Sequence, residues 1–265
     1  MLSPIMKALW GYRGFILGNV KREFQSKYRN SLLGAAWTVL NPLAMIIVYT
    51  VIFSQLMRAR LPGTTSSFAY SIYLCAGSLT WGLFAEVVGR GQNVFLDNAN
   101  LLKKISFPRL CLPATIVCNS LLNFGIIFGL FTVFLIGSGN FPGVVFIALV
   151  PVIFVLILFA IGLGITIGVL NVFFRDVGQF FAIFLQFWFW LTPIVYPVDV
   201  LPPRVHPLIK YNPMTGIVTS CQAILVKGQW PDWPSLLPAA ILAVFFLAFG
   251  MRLFRRHSGE MVDEL

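Results

Sequence analysis

The residues of this chain that could serve proton, metal or nucleotide chemistry are few and badly placed for it. Its two histidines, His206 and His257, both stand outside the long apolar runs, and Glu86 lies near the end of one such run with no other charge deep within any. A proton or sodium relay through a bilayer needs intramembrane carboxylates or histidines. A membrane enzyme working by acid/base or metal chemistry needs converging groups of the same kinds. The cysteines, Cys75, Cys111, Cys118 and Cys221, form no Cys-x-x-Cys pair, so they read as small packed residues and not as a zinc or dithiol site. There is no Gly-Lys dipeptide, and hence no Gly-x-x-x-x-Gly-Lys-Ser/Thr turn to grip phosphates. The expectation is a chain with no catalytic residue, no metal ligand and no cofactor of its own. If it moves a solute on ATP, a separate subunit binds the ATP and Mg.

What the sequence offers instead is surfaces. Residues 180–195 are dense in aromatics, and at about 100° per residue Phe180, Phe181, Phe184, Phe187 and Trp188 fall in one broad helical sector. Trp37, Tyr49 and Phe53 add to them from an earlier run, the last two spaced i,i+4. Two readings stand. They face lipid or form an interfacial belt, or they line a passage whose flat apolar faces stack on sugar C–H surfaces while hydroxyls stay wet. The second soluble-facing feature is the 89–109 loop, which interleaves Val94, Phe95, Leu101, Leu102 and Phe107 with Arg90, Lys103, Lys104 and Arg109. Exposed apolar residues there imply a partner surface; docking back onto the chain's own helices is the alternative. Third, Thr192-Pro193 breaks the aromatic run, and Pro197, Pro202, Pro203 and Pro207 follow. Backbone groups freed there must meet protein or water, as an outer gate or as an ordered Pro-rich loop.

The elements that must hold these surfaces are membrane helices. Of 265 residues 58% are hydrophobic and 11% charged, too little charge for a soluble domain, where about a quarter is usual. Between Arg109 and Arg175 there is no Asp, Glu, Lys or Arg. A crossing takes about 20 apolar residues, so this run holds two, separated by the turn chemistry of Gly137 to Gly143. Six spans are expected, at 35–57, 70–88, 112–136, 144–172, 180–195 and 236–251. The runs are too long and uniform for barrel strands. With the N-terminus inside, fourteen of the Lys and Arg residues fall on the inner side and five on the outer, which puts both termini in the cytoplasm. The net charge of +10 therefore reflects topology and not nucleic acid. Residues 211–226 are short and open with Asn212-Pro213, which fits an interfacial or re-entrant pair of short helices better than a seventh span.

Residues 1–34 lack the apolar core and cleavage site of a signal peptide. Within them Ile16, Val20, Phe24 and Tyr28 form an apolar stripe, Lys21, Arg22, Lys27 and Arg29 lie on other faces, and Glu23 and Lys27 are spaced i,i+4. Such a helix lies along the inner leaflet with its basic side toward anionic headgroups. Glu86 and Arg90 make a second i,i+4 pair, and Arg175-Asp176 marks a turn. Gly125-x-x-x-Gly129 and Gly164-x-x-x-Gly168 permit close helix approach.

Taken in order, Leu33-Gly34-x-x-Trp37-x-x-Leu40-Asn41-Pro42, Asn100-Leu101-Leu102-Lys103-Lys104-x-x-Phe107-Pro108-Arg109, Phe174-Arg175-Asp176, Pro193-Ile194-Val195-Tyr196-Pro197 and Asn212-Pro213 resemble the membrane subunits of type-2 ABC exporters for bacterial surface polysaccharides. The Wzm-type subunit of O-antigen exporters is the nearest likeness, beside capsule and teichoic-acid relatives. The resemblance implies a homodimer in the inner membrane, with two copies of a nucleotide-binding subunit that carry ATP and Mg, and a lipid-linked polysaccharide as cargo. It implies a cytoplasmic interface segment over 1–34, with Val20, Lys21, Arg22, Phe24 and Tyr28 on its helix. A six-span domain over 35–254 would follow, then a tail over 255–265. The 89–109 loop would couple to the ATPase through Asn100, Leu101, Lys103, Lys104, Phe107, Pro108 and Arg109. Channel aromatics would be Trp37, Tyr49, Phe53, Phe180, Phe184, Phe187 and Trp188. Short periplasmic gate helices would occupy 196–235, with Pro193, Tyr196, Pro197, Asn212 and Pro213 at the gate. Competing functions are a permease for small lipophilic compounds, which a large hydrophilic extracellular domain would have favoured, and an enzyme on lipid-linked sugars, which lacks its carboxylates.

Overall fold

The computed structural model describes residues 10–28, 36–52, 68–104 and 107–264. The described residues are helical with no strand. Four stretches are long and apolar enough to cross a membrane: Ala69–Gly91, Cys111–Gly137, Gly143–Phe173 and Trp233–His257. The first two are helices α3 (Ala69–Gly91) and α6 (Cys111–Gly137). The third joins a 3-10 turn at Gly143–Ala148 to α7 (Leu149–Phe173). The fourth joins a 3-10 turn at Trp233–Leu236 to α11 (Leu237–His257). They agree with the predicted spans to within a few residues at most ends, because those spans are long apolar runs, uncharged but for Glu86, bounded by Gly, Pro or Arg.

The other two predicted spans differ. Helix α2 (Trp37–Tyr49) and the three residues after it give only a shorter apolar stretch, Leu43–Ile52, among the described residues. Helix α8 (Asp176–Trp190) has 15 residues, about 22 Å at 1.5 Å per residue. It stops where Pro193 removes an amide donor and restricts Thr192 before it. Around these lie α1 (Arg13–Tyr28), the short α4 (Val94–Asp97) and α5 (Ala99–Lys104), α9 (His206–Tyr211), α10 (Pro213–Lys227) and α12 (Glu260–Glu264).

Helix α7 is the hub. Its most extensive contact is with α11, and α3 packs on it as well. Both approaches use missing side chains: a Cβ on Gly91 would sit 2.9 Å from the Cα of Gly164, and one on Gly250 would sit 2.6 Å from Thr166 Oγ1. Of the two Gly-x-x-x-Gly patterns, Gly164/Gly168 therefore makes a contact, whereas Gly125 and Gly129 face open space. Helix α10 is sunk among α3, α7 and α11, with Met214, Ile217, Val218 and Ile224 fully buried.

Residues 255–265, read from sequence as a tail, start within a helix. α11 continues to His257, and Met261 of α12 is buried in the same apolar cluster as Val94, Phe95 and Leu102. Phe254 stacks on Phe95 at 5.6 Å between centroids. The hydropathy drop at Arg252 hid this, because the apolar residues that continue the helix face inward between exposed arginines.

Candidate functional site

Helix α3 spans about 34 Å for its 23 residues, and the functional features gather at its two ends. At the Ala69 end lies the irregular segment after α8. Helix α8 stops at Trp190, so the carbonyls of 191–196 have no helical partner. Side chains from other elements supply the donors. Asn212 Nδ2 donates to the Leu191 carbonyl at 3.2 Å and to Thr192 Oγ1 at 3.1 Å. The Pro193 carbonyl accepts from Gln222 Nε2 at 3.2 Å and from Tyr73 Oη at 3.1 Å. Tyr73 shares its proton with the Tyr196 carbonyl at 2.9 Å, and Tyr70 Oη donates to the Val195 carbonyl at 2.8 Å. Tyr196 closes the turn by donating to the Trp190 carbonyl at 2.7 Å. Burial raises the Tyr196 phenol above its ordinary range.

Asn212 does three jobs here. Its Oδ1 accepts from the Met214 amide at 3.0 Å, the N-cap bond of α10, with Pro213 at the first helical position. The same atom accepts from Trp188 Nε1 at 2.8 Å. The predicted gate residues Pro193, Tyr196, Asn212 and Pro213 are thus brought together, with Pro197 next in line. Tyr70, Tyr73 and Gln222, which hold them, were not singled out from the sequence. A Tyr among apolar residues gives no signal of its partner 120 residues away.

The aromatic sector of α8 splits. Phe180, Phe187 and Trp190 are 63–69% exposed, Ile183 56%, and Phe184, whose ring also touches Trp188 at 5.2 Å, 38%. Trp188 is buried, edge-on to Phe84 at 5.3 Å and to Trp81 at 6.0 Å. Trp188 is therefore a packing residue of this subunit, and the bare face carries Phe180, Phe184 and Phe187. Two residues alike in sequence differ because, among the described residues, α8 packs chiefly on α7 and α3. On α2, Trp37 is exposed and Tyr49 half-buried; Phe53 lies outside the described residues.

At the Gly91 end the chemistry is charged. Arg90 pairs with Glu23 of α1 and, at 3.7 Å, with Glu86 one turn earlier. Asn119 of α6 donates to Glu23, and Asn123 to Glu86 at 3.1 Å. The predicted Glu86–Arg90 pair is present, while Glu23 reaches across to another helix. The stripe of α1 is spent on protein: Ile16 and Val20 are buried against Cys111 of α6, and Phe15 packs on Phe107 at 5.0 Å. Phe24 is half-buried, Lys21 and Arg22 point outward, and Tyr28 ends the helix. Arg22 bonds Asn19.

Beside this network the 92–104 segment turns through α4 and α5. Asn100 and Lys103 are exposed, Leu101 half-buried, and Lys104 is the last residue of α5. Phe107, Pro108 and Arg109 are half-buried. The Nη1 of Arg109 is buried and has no acceptor among the described residues. A cleft of about 400 Å³ opens between α1, α4 and α6, lined by Arg22, Glu23, Arg90, Asp97 and Asn98 among others. Of the two readings of the loop, docking back is what its apolar residues do: Val94, Phe95 and Leu102 are buried on the chain's own helices, while the polar Asn100 and Lys103 face out.

Compared with known proteins, residues 16–226 match the profile of the ABC-2 type transporter family. The chain is 29% identical over 263 residues to an O-antigen export system permease protein, RfbA, of Myxococcus xanthus, covering 98% of this chain and 99% of the relative. It is 30% identical over 229 residues to the RfbA of Klebsiella pneumoniae, covering 86% of each. Polysialic acid transport protein KpsM of Escherichia coli is 20% identical over 242 residues, covering 91% of this chain and 92% of KpsM.

Proposed function

The chain belongs to the ABC-2 type transporter membrane family, and from that premise we propose that it is the transmembrane subunit of an ATP-driven polysaccharide exporter, carrying a lipid-linked, O-antigen-like glycan across the inner membrane. Relatives that match nearly end to end are named as O-antigen export permeases, which supports the cargo class. The single observation that carries the geometry is the bare face of α8. Phe180, Phe184 and Phe187 stand out from a helix pinned through Leu185 and Trp188. A second copy of the chain would enclose that face, with Leu43 and Ile47 of α2 and Val51 just beyond it, between two subunits. Flat apolar rings hold a sugar chain weakly enough to let it slide.

In this reading the chain crosses six times, with both termini, α1 and α5 in the cytoplasm. Two nucleotide-binding subunits seat on the 89–109 loop, where Asn100, Lys103, Lys104 and Arg109 meet them. Each carries its own ATP and Mg. The 196–235 segment is the periplasmic gate, fixed by Asn212, Tyr73 and Gln222. ATP binding shifts the population between closed and open arrangements of the two copies.

The test is reconstitution of the chain with its nucleotide-binding partner in vesicles. ATP and a lipid-linked glycan should give vectorial transport, and a Lys103→Glu/Lys104→Glu/Phe107→Ala variant should hydrolyse ATP without export. Transport by the isolated chain, driven by an ion gradient, would sink the proposal.

A further inference from the structure

Asn171 stands two residues before α7 ends and is 2% exposed. Its side chain makes three hydrogen bonds to two separate parts of the chain. Nδ2 donates to the Gln92 carbonyl at 2.8 Å and to Asn93 Oδ1 at 3.1 Å. These are the first residues beyond α3, the entry to the 92–104 segment. Oδ1 accepts from the Gly178 amide at 3.0 Å. Gly178 is the third residue of α8, where an N–H has no acceptor within the helix.

The chemistry of the joint is specific. A primary amide carries two donors and an acceptor on one carbon, and here both donors point to the segment before α4 while the acceptor points to α8. A Cβ at 178 would lie 2.6 Å from Asn171 Oδ1 and 2.7 Å from Nδ2, so the first turn of α8 comes this near only because residue 178 has no side chain. No other side-chain hydrogen bond among the described residues fixes this end of α8. Buried and fully paired, such a bridge is stiff, since breaking either half leaves a polar group unpaired in a low-dielectric interior.

We propose that Asn171 is a positioning residue of the export cycle. It carries displacement of the 92–104 segment to the first turn of α8, and so to the face bearing Phe180, Phe184 and Phe187. This rests on the exporter reading above, under which the 92–104 segment is what the ATPase moves.

The experiment uses the full chain reconstituted with its nucleotide-binding partner, with ATP hydrolysis and glycan translocation read in the same vesicles. The wild-type complex must export on ATP; if it does not, the exporter reading itself falls, apart from any variant. Asn171→Leu keeps the side chain's size and removes all three bonds. Recovery of the complex should fall somewhat, because the Gly178 amide and the Gln92 carbonyl lose a buried partner, while basal hydrolysis per complex recovered stays near normal. Glycan moved per ATP falls about tenfold, the scale of an ordinary coupling between sites, and stimulation of hydrolysis by glycan is lost. Asn93→Ala removes one of the three bonds at a half-buried position and should lower the same ratio less. If Asn171→Leu does not assemble, Asn93→Ala decides: a lowered ratio supports the joint, and an unchanged one overturns it. Glycan per ATP unchanged in assembled Asn171→Leu overturns the inference. So does export that falls only in proportion to the complex recovered, because that is a role in folding and nothing more.

Discussion

The two ends of α3 are held differently, by neutral donors alone at one and, beside the buried Asn171 amide, by ion pairs at the other. At the Ala69 end, Tyr70, Tyr73, Gln222 and Asn212 place neutral donors on carbonyls that α8 leaves behind. Thr192 and Ile194 are fully buried there. At the Gly91 end, Arg90 sits between Glu23 and Glu86 with side chains 34%, 45% and 28% exposed. Buried neutral networks are costly to disturb, because each lost partner leaves an unsatisfied group. Half-exposed ion pairs are worth little, are screened by salt, and exchange partners readily. The first arrangement suits a fixed rim. The second suits a joint that must yield when a partner pushes on it.

The contrast is most open to attack at Trp188. Trp188→Ala should destabilise the subunit by about 3–5 kcal/mol, the usual cost of emptying a buried aromatic site. It also removes the Nε1 bond to Asn212. Phe187→Ala, one residue away but exposed, should change subunit stability by no more than about 0.5 kcal/mol while reducing glycan passage. Thermal unfolding in detergent beside transport assays separates the two. If both variants melt alike, the division of α8 into a packed and a bare face is wrong.

A smaller effect is expected from Tyr73→Phe. The ring stays and only the hydroxyl goes, leaving the Tyr196 carbonyl unpaired and the Pro193 carbonyl with Gln222 alone. The loss should be about 1–3 kcal/mol, and Gln222→Leu on the same background should add more than it does alone, because the two donors share one acceptor. Independent, additive losses would mean that the segment 191–196 is not held as one unit.

Which of these features the sequence discloses depends on how local their cause is. The long helices α3, α6, α7 and α11 follow from uninterrupted apolar runs, and the end of α8 follows from Thr192-Pro193. The N-cap of α10 is written in Asn212-Pro213. What stays hidden is pairing across the fold. Helical spacing matches Glu23 to Lys27, yet Glu23 reaches Arg90 and Asn119. The stripe of Ile16 and Val20 fits a lipid surface and a helix surface equally well, and α6 takes it. Trp188 and Phe187 have the same chemistry, and only the placement of α3 and α7 tells them apart. Residues 255–264 look like a tail because Arg252, Arg255 and Arg256 lower the hydropathy, while Phe254 and Met261 pack beneath α4 and α5.

That last contact gives a prediction of moderate size. Met261→Lys puts a charge where the side chain is 1% exposed, in one cluster with Val94, Phe95 and Leu102. The 92–104 segment should loosen, visible as faster amide exchange over α4 and α5 with little change over α10. Met261→Leu conserves volume and should behave as wild type. Exchange that rises equally at both ends of α3 would show that the two ends are not separate units.

The least effect on stability is expected at Arg90 itself, and its pattern is the sharpest test of the contrast. The Glu23–Arg90 pair is near half-exposed, so Glu23→Gln should cost no more than about 1 kcal/mol. What little it costs should fade as salt is raised. Arg90→Glu is worse than neutral removal, because it sets three carboxylates, at 23, 86 and 90, close together. Glu23→Arg/Arg90→Glu restores an opposite pair between α1 and α3, but it leaves Glu86 facing a like charge one turn away, and like charges at i,i+4 repel. Rescue should therefore be partial, and adding Glu86→Gln should complete it. If ATP-driven export follows the same order of loss and recovery while the melting temperature hardly moves, the charged end works as a movable joint. If the melting temperature instead drops as far as it does for Trp188→Ala, the Arg90 network is a structural clamp like the one around Asn212, and the two ends of α3 do not differ in kind.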